Sequence, residues 1–346
     1  MSAPSFLKSK IPQWNISPEF IAEHPELHHY TDQGGLQGIW NSQQLWAKHF
    51  SHLNDKLEIR ALMKPLESLL IGKHRPIHLR KMRTSFKYRQ VIDQRGGSAF
   101  SIEKEIKNFV SANFDASFFE NDIVIAKPFF TSFCSHARSA PYTQQNGLLS
   151  QWRGYGGIGK FALVFDTNGL ADLLSREWRS HYWHMLKLNS VLYYHDNKNL
   201  EEKFPDLLEQ MSSFLEIFLS PAKDQIKSEI SPKFLEVFWS AATLLKHRGF
   251  EEEQEVRIVA MPSNEAFDVL EEKGKVASDD PPFKGEYTND KNHRHIALFE
   301  TLKSPLPITR IIVGPSENQA VDEAFVRHLT QGAVAITLSE TPYNGP

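Results

Sequence analysis

The chain has 346 residues, 40% of them hydrophobic, enough for one large domain or two modest ones whose core needs no external cross-links. Its single cysteine, Cys134, excludes an internal disulfide framework and a multi-cysteine zinc site, which favours a reducing compartment and predicts the cytoplasm. A net charge of −3 excludes the overall attraction for phosphates typical of dedicated nucleic-acid binders, and without a secretion-signal pattern or a membrane-spanning apolar run, a soluble protein is expected.

The predicted elements begin with two short strands on either side of a helix. Residues 27–31 and 45–47 are predicted strands, and residues 34–41 begin a helix whose apolar side chains share one face. Asn54 and Asp55 form a natural turn and N-cap pair, after which the sequence is predicted to be mostly helical to about residue 121.

The rest of the chain mixes strands and helices without regular alternation. Strands are predicted at residues 123–126, 129–134, 161–165, 189–195, 256–260, 296–302, 308–313 and 334–338, and helices at residues 200–219, 233–247 and 318–330. β-Branched residues do not form the continuous runs of a fully covered parallel sheet, so we predict an α+β fold.

No change in composition divides the chain, which predicts a single domain spanning residues 1–346. Within this domain, residues 56–121 form a predicted helical insertion. Residues 277–292 are rich in Asp, Pro, Gly, Lys and Asn, and they form a predicted flexible loop.

The first cluster of polar side chains lies in the first predicted strand. His29 and Thr31 are two residues apart on either side of Tyr30, so they point to the same face and can together grip a ribose hydroxyl or an amide. The alternative interpretation is structural. In that case His29 satisfies a hydrogen bond in the core, and Thr31 caps the following helix.

The second cluster combines Ser132 with a glycine-rich segment that follows Trp152. Glycines within residues 154–159 allow a ligand to approach the backbone, and Trp152 or Tyr155 can stack on a base or a nicotinamide ring. Arg153 can neutralise a phosphate. The order of strand, glycines and helix differs from that of the Walker A and dinucleotide-binding motifs. A buried tryptophan beside a glycine-rich hairpin is the structural alternative.

The third cluster is acidic and lies at the entrance to a predicted strand. Glu253 and Glu255 are two residues apart, and Arg257 follows at the same spacing, so the three side chains are expected to share a face. Carboxylates so close together repel one another, and one can acquire a raised pKa or pair with Arg257, which suits general-base or transition-state-stabilising work. A solvated acidic loop is the ordinary alternative.

Positive charge is concentrated in the segment that runs from Lys73 to Arg83. This segment can hold a polyanion, or it can be a solvated face neutralised by acidic neighbours. No spacing typical of a zinc site occurs, and the pair His293 and His295 has no third ligand nearby in the sequence, so no metal is expected.

The order of these clusters resembles the bacterial family known as domain of unknown function 2971, over most of the chain. The resemblance rests on His29-Tyr30-Thr31, Leu45-Trp46-Ala47, Asn54-Asp55, Ser132-Phe133-Cys134, Gln151-Trp152-Arg153 with Tyr155, and Glu253-Gln254-Glu255-Val256-Arg257. The family name carries no activity.

A more remote resemblance connects the same residues to ADP-ribosyltransferases. His29-Tyr30-Thr31 is similar to the opening motif that grips the NAD ribose and carboxamide, and the pair Glu253 and Glu255 is similar to the late acidic motif that stabilises the cationic ribose as nicotinamide leaves. The resemblance implies a split mixed sheet, NAD as substrate and Glu255 as the catalytic acid residue, with Glu253 in reserve. It also implies a nucleotide site formed by His29, Tyr30, Thr31, Ser132, Trp152, Arg153, Tyr155 and Arg257.

An enzyme of this kind would act as a toxin or phage-defence effector, and the segment from Lys73 to Arg83 would recruit its nucleic-acid or protein acceptor. Two other functions stay open. The same clusters can form a non-catalytic module that senses a nucleotide or binds a partner, with the polar network holding the sheet together. A metal-dependent nuclease would need acidic ligands from separate segments, such as Asp55 with Glu253 and Glu255.

Overall fold

The structure is a computed structural model that describes residues 16–52, 62–114, 128–154, 160–194, 201–202, 204–218, 240–263 and 281–342. The α-helices are α1 Pro18–Glu23, α2 Gln33–Ser42, α3 Met63–Thr84, α4 Phe86–Gln94, α5 Ile102–Phe114, α6 Pro141–Asn146, α7 Leu149–Gly154, α8 Thr167–Ser180, α9 Pro205–Phe218 and α10 Gln319–Thr330. The strands are β1 Glu26–Thr31, β2 Leu45–His49, β3 Phe129–Cys134, β4 Phe161–Asp166, β5 Trp183–Ser190, β6 Leu192–Tyr194, β7 Leu245–His247, β8 Glu255–Pro262, β9 Tyr287–Thr288, β10 Arg294–Leu298, β11 Ile308–Val313 and β12 Ala335–Leu338.

Ten of these strands form one mixed sheet. Strands β11 and β12 run parallel, whereas the other pairings within this sheet are antiparallel. Strands β6 and β7 form a separate parallel pair. Helices and strands are therefore mixed around a largely antiparallel sheet, which confirms the predicted α+β class.

The sheet splits at β3. One edge of β3 pairs along its whole length with β8, and β8 pairs in turn with β5. The other edge is shared, because β2 pairs with the start of β3 at Phe129 and Phe130, whereas β1 pairs with its end at Cys134. One branch continues from β2 to β10 and β9, and the other continues from β1 to β4, β11 and β12.

The two faces of the sheet are covered by different helices. On the first face, apolar side chains of β1, β4, β5 and β8 pack with Leu36 of α2, Leu170 of α8 and Val326 of α10. On the second face, Phe130, Val259 and Met261 pack against α3, α5 and α9. Helices α3 and α5, which lie within residues 56–121, therefore form a layer on the second face together with α9.

Most predicted elements are present near their predicted positions, but helices α1, α6, α7 and α8, strand β9 and most of strand β5 were not predicted. Helix α8 starts directly after Asp166, whose side chain caps it by accepting the backbone N–H of Gly169 at 2.7 Å. Strand β5 starts six residues before the strand predicted at residues 189–195, because a register shift between Trp183 and Met185 breaks the alternation of buried and exposed positions.

The helix predicted at residues 233–247 is wrong at its end. Residues 240–244 are helical, but Leu245–His247 forms β7 and pairs with β6. Tertiary pairing outweighs local helix propensity there. The strand predicted at residues 123–126 lies outside the described residues, as do Asn54 and Asp55. Within the described ranges, no helix is both long enough and apolar enough to cross a bilayer.

The described part of the predicted flexible loop, residues 281–292, is anchored to the sheet. Tyr287 and Thr288 form β9, and Phe283 makes a bridge to Tyr182. The Lys284 ammonium lies 2.9 Å from the carboxylate of Glu177 on α8, and both side chains are fully buried.

We expect Lys284→Ala to lower the free energy of unfolding by about 3–5 kcal/mol, because it leaves the buried Glu177 carboxylate without its ammonium partner. Urea unfolding followed by circular dichroism would measure the change, with the exposed Lys291→Ala as the matched control. A loss no larger than that of the control would show that this ion pair does not hold the segment in place.

Candidate functional site

A polar row crosses the second face of the sheet at the point where β3 ends. In the strand register, His28 of β1 lies opposite Cys134 of β3, and Cys134 lies opposite Glu255 of β8. On the other edge of β1, His28 lies opposite Val164 of β4, and Val164 in turn lies opposite Arg310 of β11. Directly paired residues of neighbouring strands point to the same face, so these five side chains form one line.

At one end of this row lies a group that we call the carboxylate cluster, formed by Lys246, Glu253, Glu255 and Arg257. Arg257 grips the Glu255 carboxylate in a bidentate manner, with Nε to Oε1 at 2.5 Å and Nη2 to Oε2 at 3.0 Å. The Lys246 ammonium joins the two glutamates, since it lies 2.8 Å from Glu255 Oε2 and 2.7 Å from Glu253 Oε2. The cluster is therefore balanced in charge, with two anions and two cations.

Local structure explains why these four side chains converge. Glu255 and Arg257 alternate with Val256 along β8 and so share a face, as predicted from the sequence. A 3-10 helix, Arg248–Glu253, then folds Glu253 back towards Lys246 of β7. Arg257 also donates from Nη1 to the Thr243 carbonyl at 3.1 Å, which fixes the guanidinium from behind.

The pKa values of the two glutamates are shifted in opposite directions. Burial alone would raise the pKa of Glu255, but Arg257 and Lys246 outweigh burial and hold that pKa at about 2. Burial raises the pKa of Glu253, and Lys246 offsets only part of this effect. The Glu253 side chain keeps 18% of its surface exposed, against 4% for Glu255. Glu255 is thus a fixed anion, whereas Glu253 is accessible and closer to exchanging a proton at neutral pH.

Further along the row, two buried histidines meet a tyrosine. The rings of His28 and His136 lie 4.6 Å apart in a T-shaped arrangement. His136 Nε2 lies 2.8 Å from the Tyr30 hydroxyl, and that hydroxyl accepts the Leu148 N–H at 2.8 Å. Trp152 packs against Tyr30 with ring centroids 4.7 Å apart. These contacts join the end of β3 to the start of α7.

Burial keeps both histidines neutral. It lowers the pKa of His136 to about 4, and it lowers the pKa of His28 well below its usual value, with further contributions from His136 and Arg310. Among the described residues, the Nδ1 atoms of both rings have no hydrogen-bond partner although they are buried. A buried polar atom without a partner costs free energy.

The backbone beside the row is held in an unusual conformation. His136 and Gln254 both have positive φ angles, 52° and 43°, although neither is glycine. Gln254 bridges the two segments, because its carbonyl accepts the Ser135 N–H and its side chain accepts the Arg138 N–H and donates to Ser139. The position of Glu253 and Glu255 relative to His136 is therefore fixed from both sides.

The structure brings together six of the residues predicted from the sequence and separates two others from them. Those on the second face or packed against it are Tyr30, Ser132, Trp152, Glu253, Glu255 and Arg257. His29 and Thr31 alternate with Tyr30 and therefore point to the first face, away from Glu255. Arg153 is exposed at the end of α7, and Tyr155 lies outside the described residues.

His29 and Thr31 have structural surroundings. His29 Nδ1 lies 3.0 Å from the Ser132 carbonyl, and its ring packs on Phe133. Burial lowers the pKa of His29 to about 4. Thr31 lies directly under Gly35 of α2, where a side chain would collide with its hydroxyl. The cap of α2 is Asp32, not Thr31, since Asp32 accepts the Gly35 N–H at 2.8 Å.

Sequence reasoning missed Lys246, Tyr193 and His136. Lys246 was placed in a helix and carried no motif, and it joins the acidic pair only because β7 lies beside the 3-10 helix. The Tyr193 hydroxyl accepts the Glu255 N–H at 2.7 Å. Of the three, only His136 could have been selected from the sequence, because it follows the predicted strand at residues 129–134 within a polar segment.

The family model described as "Protein of unknown function (DUF2971)" matches residues 151–258. This part of the chain contains Trp152, Lys246, Glu253, Glu255 and Arg257, and thus the whole carboxylate cluster. His28 and Tyr30 lie before it. No curated protein and no solved structure matches the chain.

The lowered pKa of Glu255 predicts a dependence of stability on pH. Because the pKa is lower in the folded chain than in the unfolded one, its contribution is present above about pH 4.5 and is lost as pH falls towards about 2. Over this window, we expect the native chain to lose about 3 kcal/mol more unfolding free energy than Glu255→Gln. Urea unfolding at several pH values tests this, and parallel curves for the two chains would contradict it.

Proposed function

We propose that the chain cleaves the glycosidic bond of a nucleotide of the NAD type and transfers the ADP-ribosyl group, as its resemblance to ADP-ribosyltransferases implies. The residues proposed for the chemistry lie in the carboxylate cluster on the second face. The sequence-based hypothesis gave the catalytic role first to Glu255 and kept Glu253 in reserve. The geometry favours the opposite order.

The observation that carries this proposal is the unequal pair of carboxylates on one ammonium. Two acids whose surroundings push their pKa values apart form the usual division between a proton-transfer group and a permanent anion. Glu253 is the accessible member with the raised pKa, and Glu255 is the member fixed by Arg257. Lys246 sets the distance between them.

The proposed reaction needs one base. Nicotinamide leaves NAD with the electron pair of its glycosidic bond and becomes neutral, so no acid has to protonate it, and positive charge develops on the ribose carbon. The acceptor oxygen then attacks that carbon and releases its proton, which Glu253 takes up. Glu255 does not touch the reacting atoms. It holds Lys246, and through Lys246 it positions Glu253.

Aromatic side chains near the cluster are suited to a nucleotide. Phe250 is exposed on the 3-10 helix that carries Glu253, and the Lys246 ammonium lies 4.6 Å from its ring centre. An exposed ring beside a cation is a stacking surface for a base or a nicotinamide. Further along the same face, Tyr30 and Trp152 are buried and can support the site only from within the fold, whereas Ser132 is partly exposed. The segment from Lys73 to Arg83 is the proposed recruiting surface for a nucleic-acid or protein acceptor.

The non-catalytic alternative rests on the same contacts. Bidentate pairing of Glu255 with Arg257 is also what a structural network requires, and removing one partner of such a buried pair is expected to destabilise the fold. The metal-dependent nuclease has no comparable support. The described ranges contain no group of three or more His, Cys, Asp or Glu side chains placed to hold a metal ion, and Asp55 lies outside them.

The test is nicotinamide release from NAD, measured by chromatography with cell nucleic acid and protein as acceptors. Glu253→Gln keeps the size and one hydrogen-bonding oxygen of the side chain but cannot take a proton, so we expect the rate to fall by about 100-fold or more. Its melting temperature is expected to stay within a few degrees of the native value. Glu255→Gln is expected to lose both activity and stability, because it breaks a buried network.

Two further results decide between the functions. If Glu253→Gln retains full activity, the assigned base is wrong. If the native chain neither releases nicotinamide nor binds NAD in calorimetry while Glu255→Gln still loses stability, the cluster is a structural network and the enzymatic proposal fails.

A separate variant tests which face of the sheet binds the nucleotide. Because His29 points to the first face, His29→Gln is expected to leave kcat/KM for NAD within about twofold of the native value. A large rise in KM without a change in kcat would instead show that the ribose is gripped on the first face, as the sequence motif implied.

A further inference from the structure

The hairpin formed by α3 and α4 carries the most concentrated positive charge of the described residues. Ser85 joins the two helices, ending α3 through its N–H and capping α4 by accepting the Tyr88 N–H at 3.2 Å. From residue 73 to residue 95, Asp93 is the one acidic residue. The basic residues of this stretch are Lys73, Arg75, Arg80, Lys81, Arg83, Lys87, Arg89 and Arg95.

Three of these side chains form a stripe on α3. Lys73, Arg80 and Arg83 are seven and then three residues apart, and on a helix of about 3.6 residues per turn this spacing puts them on one side. All three are exposed. No carboxylate of the described residues lies within ion-pair distance of them, whereas Arg75 pairs with Glu103 at 3.3 Å. The stripe is therefore a charged surface and not a neutralised one.

Packing contacts anchor the hairpin that carries this stripe to the rest of the fold. Leu66, Leu70 and His74 of α3 are buried against α5 and α9. His78 then fixes α4 to α3, since its Nδ1 lies 2.9 Å from the Tyr88 hydroxyl and its ring stacks on Phe100. A ligand that binds the stripe does not have to order it first.

An aromatic ring lies beside the charges. Phe86 is 67% exposed at the first position of α4, and the Arg89 guanidinium lies 5.9 Å from its ring centre. Leu79 is 48% exposed on α3. Because the broad apolar face of α3 is already buried in the core, these two side chains are too few for a helix that lies in a membrane surface. A ring among cations is instead what unpaired bases use for stacking.

We propose that the α3–α4 hairpin binds single-stranded nucleic acid, with Lys73, Arg80 and Arg83 on phosphates of the strand and Phe86 under a base. Single strands fit better than duplexes, since paired bases hide the faces that Phe86 would stack on. The overall net charge of −3 does not oppose this binding. Interactions between exposed charges fade over about 10 Å at moderate salt, so a phosphate at the hairpin responds to the local charge.

Nucleic-acid binding here does not depend on the proposed NAD chemistry. The hairpin residues are separate from the carboxylate cluster, and the test measures binding without NAD. If both proposals hold, the bound strand is the acceptor. If the chain binds strands but releases no nicotinamide, only the enzymatic proposal fails.

The experiment is fluorescence anisotropy of a labelled mixed-sequence 20-nucleotide RNA or DNA strand titrated with the full chain at several salt concentrations. We expect Arg80→Ala with Arg83→Ala to weaken binding by about tenfold or more at low salt. The slope of log K against log salt should become shallower by about 1.4, since each lost phosphate contact removes about 0.7 for a single strand. Phe86→Ala should weaken binding by about tenfold with an unchanged slope.

The matched control is Arg179→Ala with Lys291→Ala, which changes net charge equally at exposed positions outside the hairpin and should bind like the native chain. Circular dichroism checks that every variant keeps its helices. Equal loss in control and hairpin variants would overturn the proposal. So would tighter binding to a duplex of the same length, or binding to vesicles of anionic lipid without binding to the strand.

Discussion

The grip of Arg257 on the Glu255 carboxylate is the interaction on which the rest of the candidate site depends. This ion pair lies where β8 begins, beside the end of β3, and both of its side chains are buried. An isolated charge could not be buried at this position, because its desolvation would outweigh any single contact. With Arg257 and Lys246 both present, the carboxylate stays ionised, and Lys246 in turn fixes Glu253 at the edge of the cluster.

The split of the sheet decides which side chains meet there. β1 pairs with β3 only at its end, where His28 lies opposite Cys134. This is the one level of the sheet at which side chains of β1 and β8 belong to the same row. Burial raises the pKa of the Cys134 thiol, and the nearby glutamates raise it further, so the residue between the histidine and the carboxylate stays neutral. The row thus has a charged side chain at each end, Arg310 and Glu255, and uncharged side chains between them.

The sequence predicted local structure and spacing well, and it failed where a choice depended on distant contacts. Alternation placed His29 with Thr31 and Glu255 with Arg257 correctly. It also placed Glu253 on the strand, whereas Glu253 ends the 3-10 helix before β8 and contacts Lys246 from there. Which face each pair occupies depends on the register between strands more than 100 positions apart, as in His28 with Cys134, and no local pattern reports it. Lys246 could not be found, because no local pattern reports that β7 pairs with β6 and lies beside the 3-10 helix. By contrast, Asp166 directly after the predicted strand at residues 161–165 was a readable N-cap of α8 that the sequence analysis did not use.

The register of β1, β4 and β11 also constrains how the chain folds. Arg310 forms an ion pair with Glu26 across 284 positions of sequence, and β4 lies between their two strands as the partner of both. Contacts of such separation make folding slow, since a long loop must close before they contribute any stability. During synthesis, β11 emerges well after β4, so the edge of β4 that pairs with β11 stays open until then. Chaperone dependence and aggregation from nascent chains are therefore to be expected of this architecture.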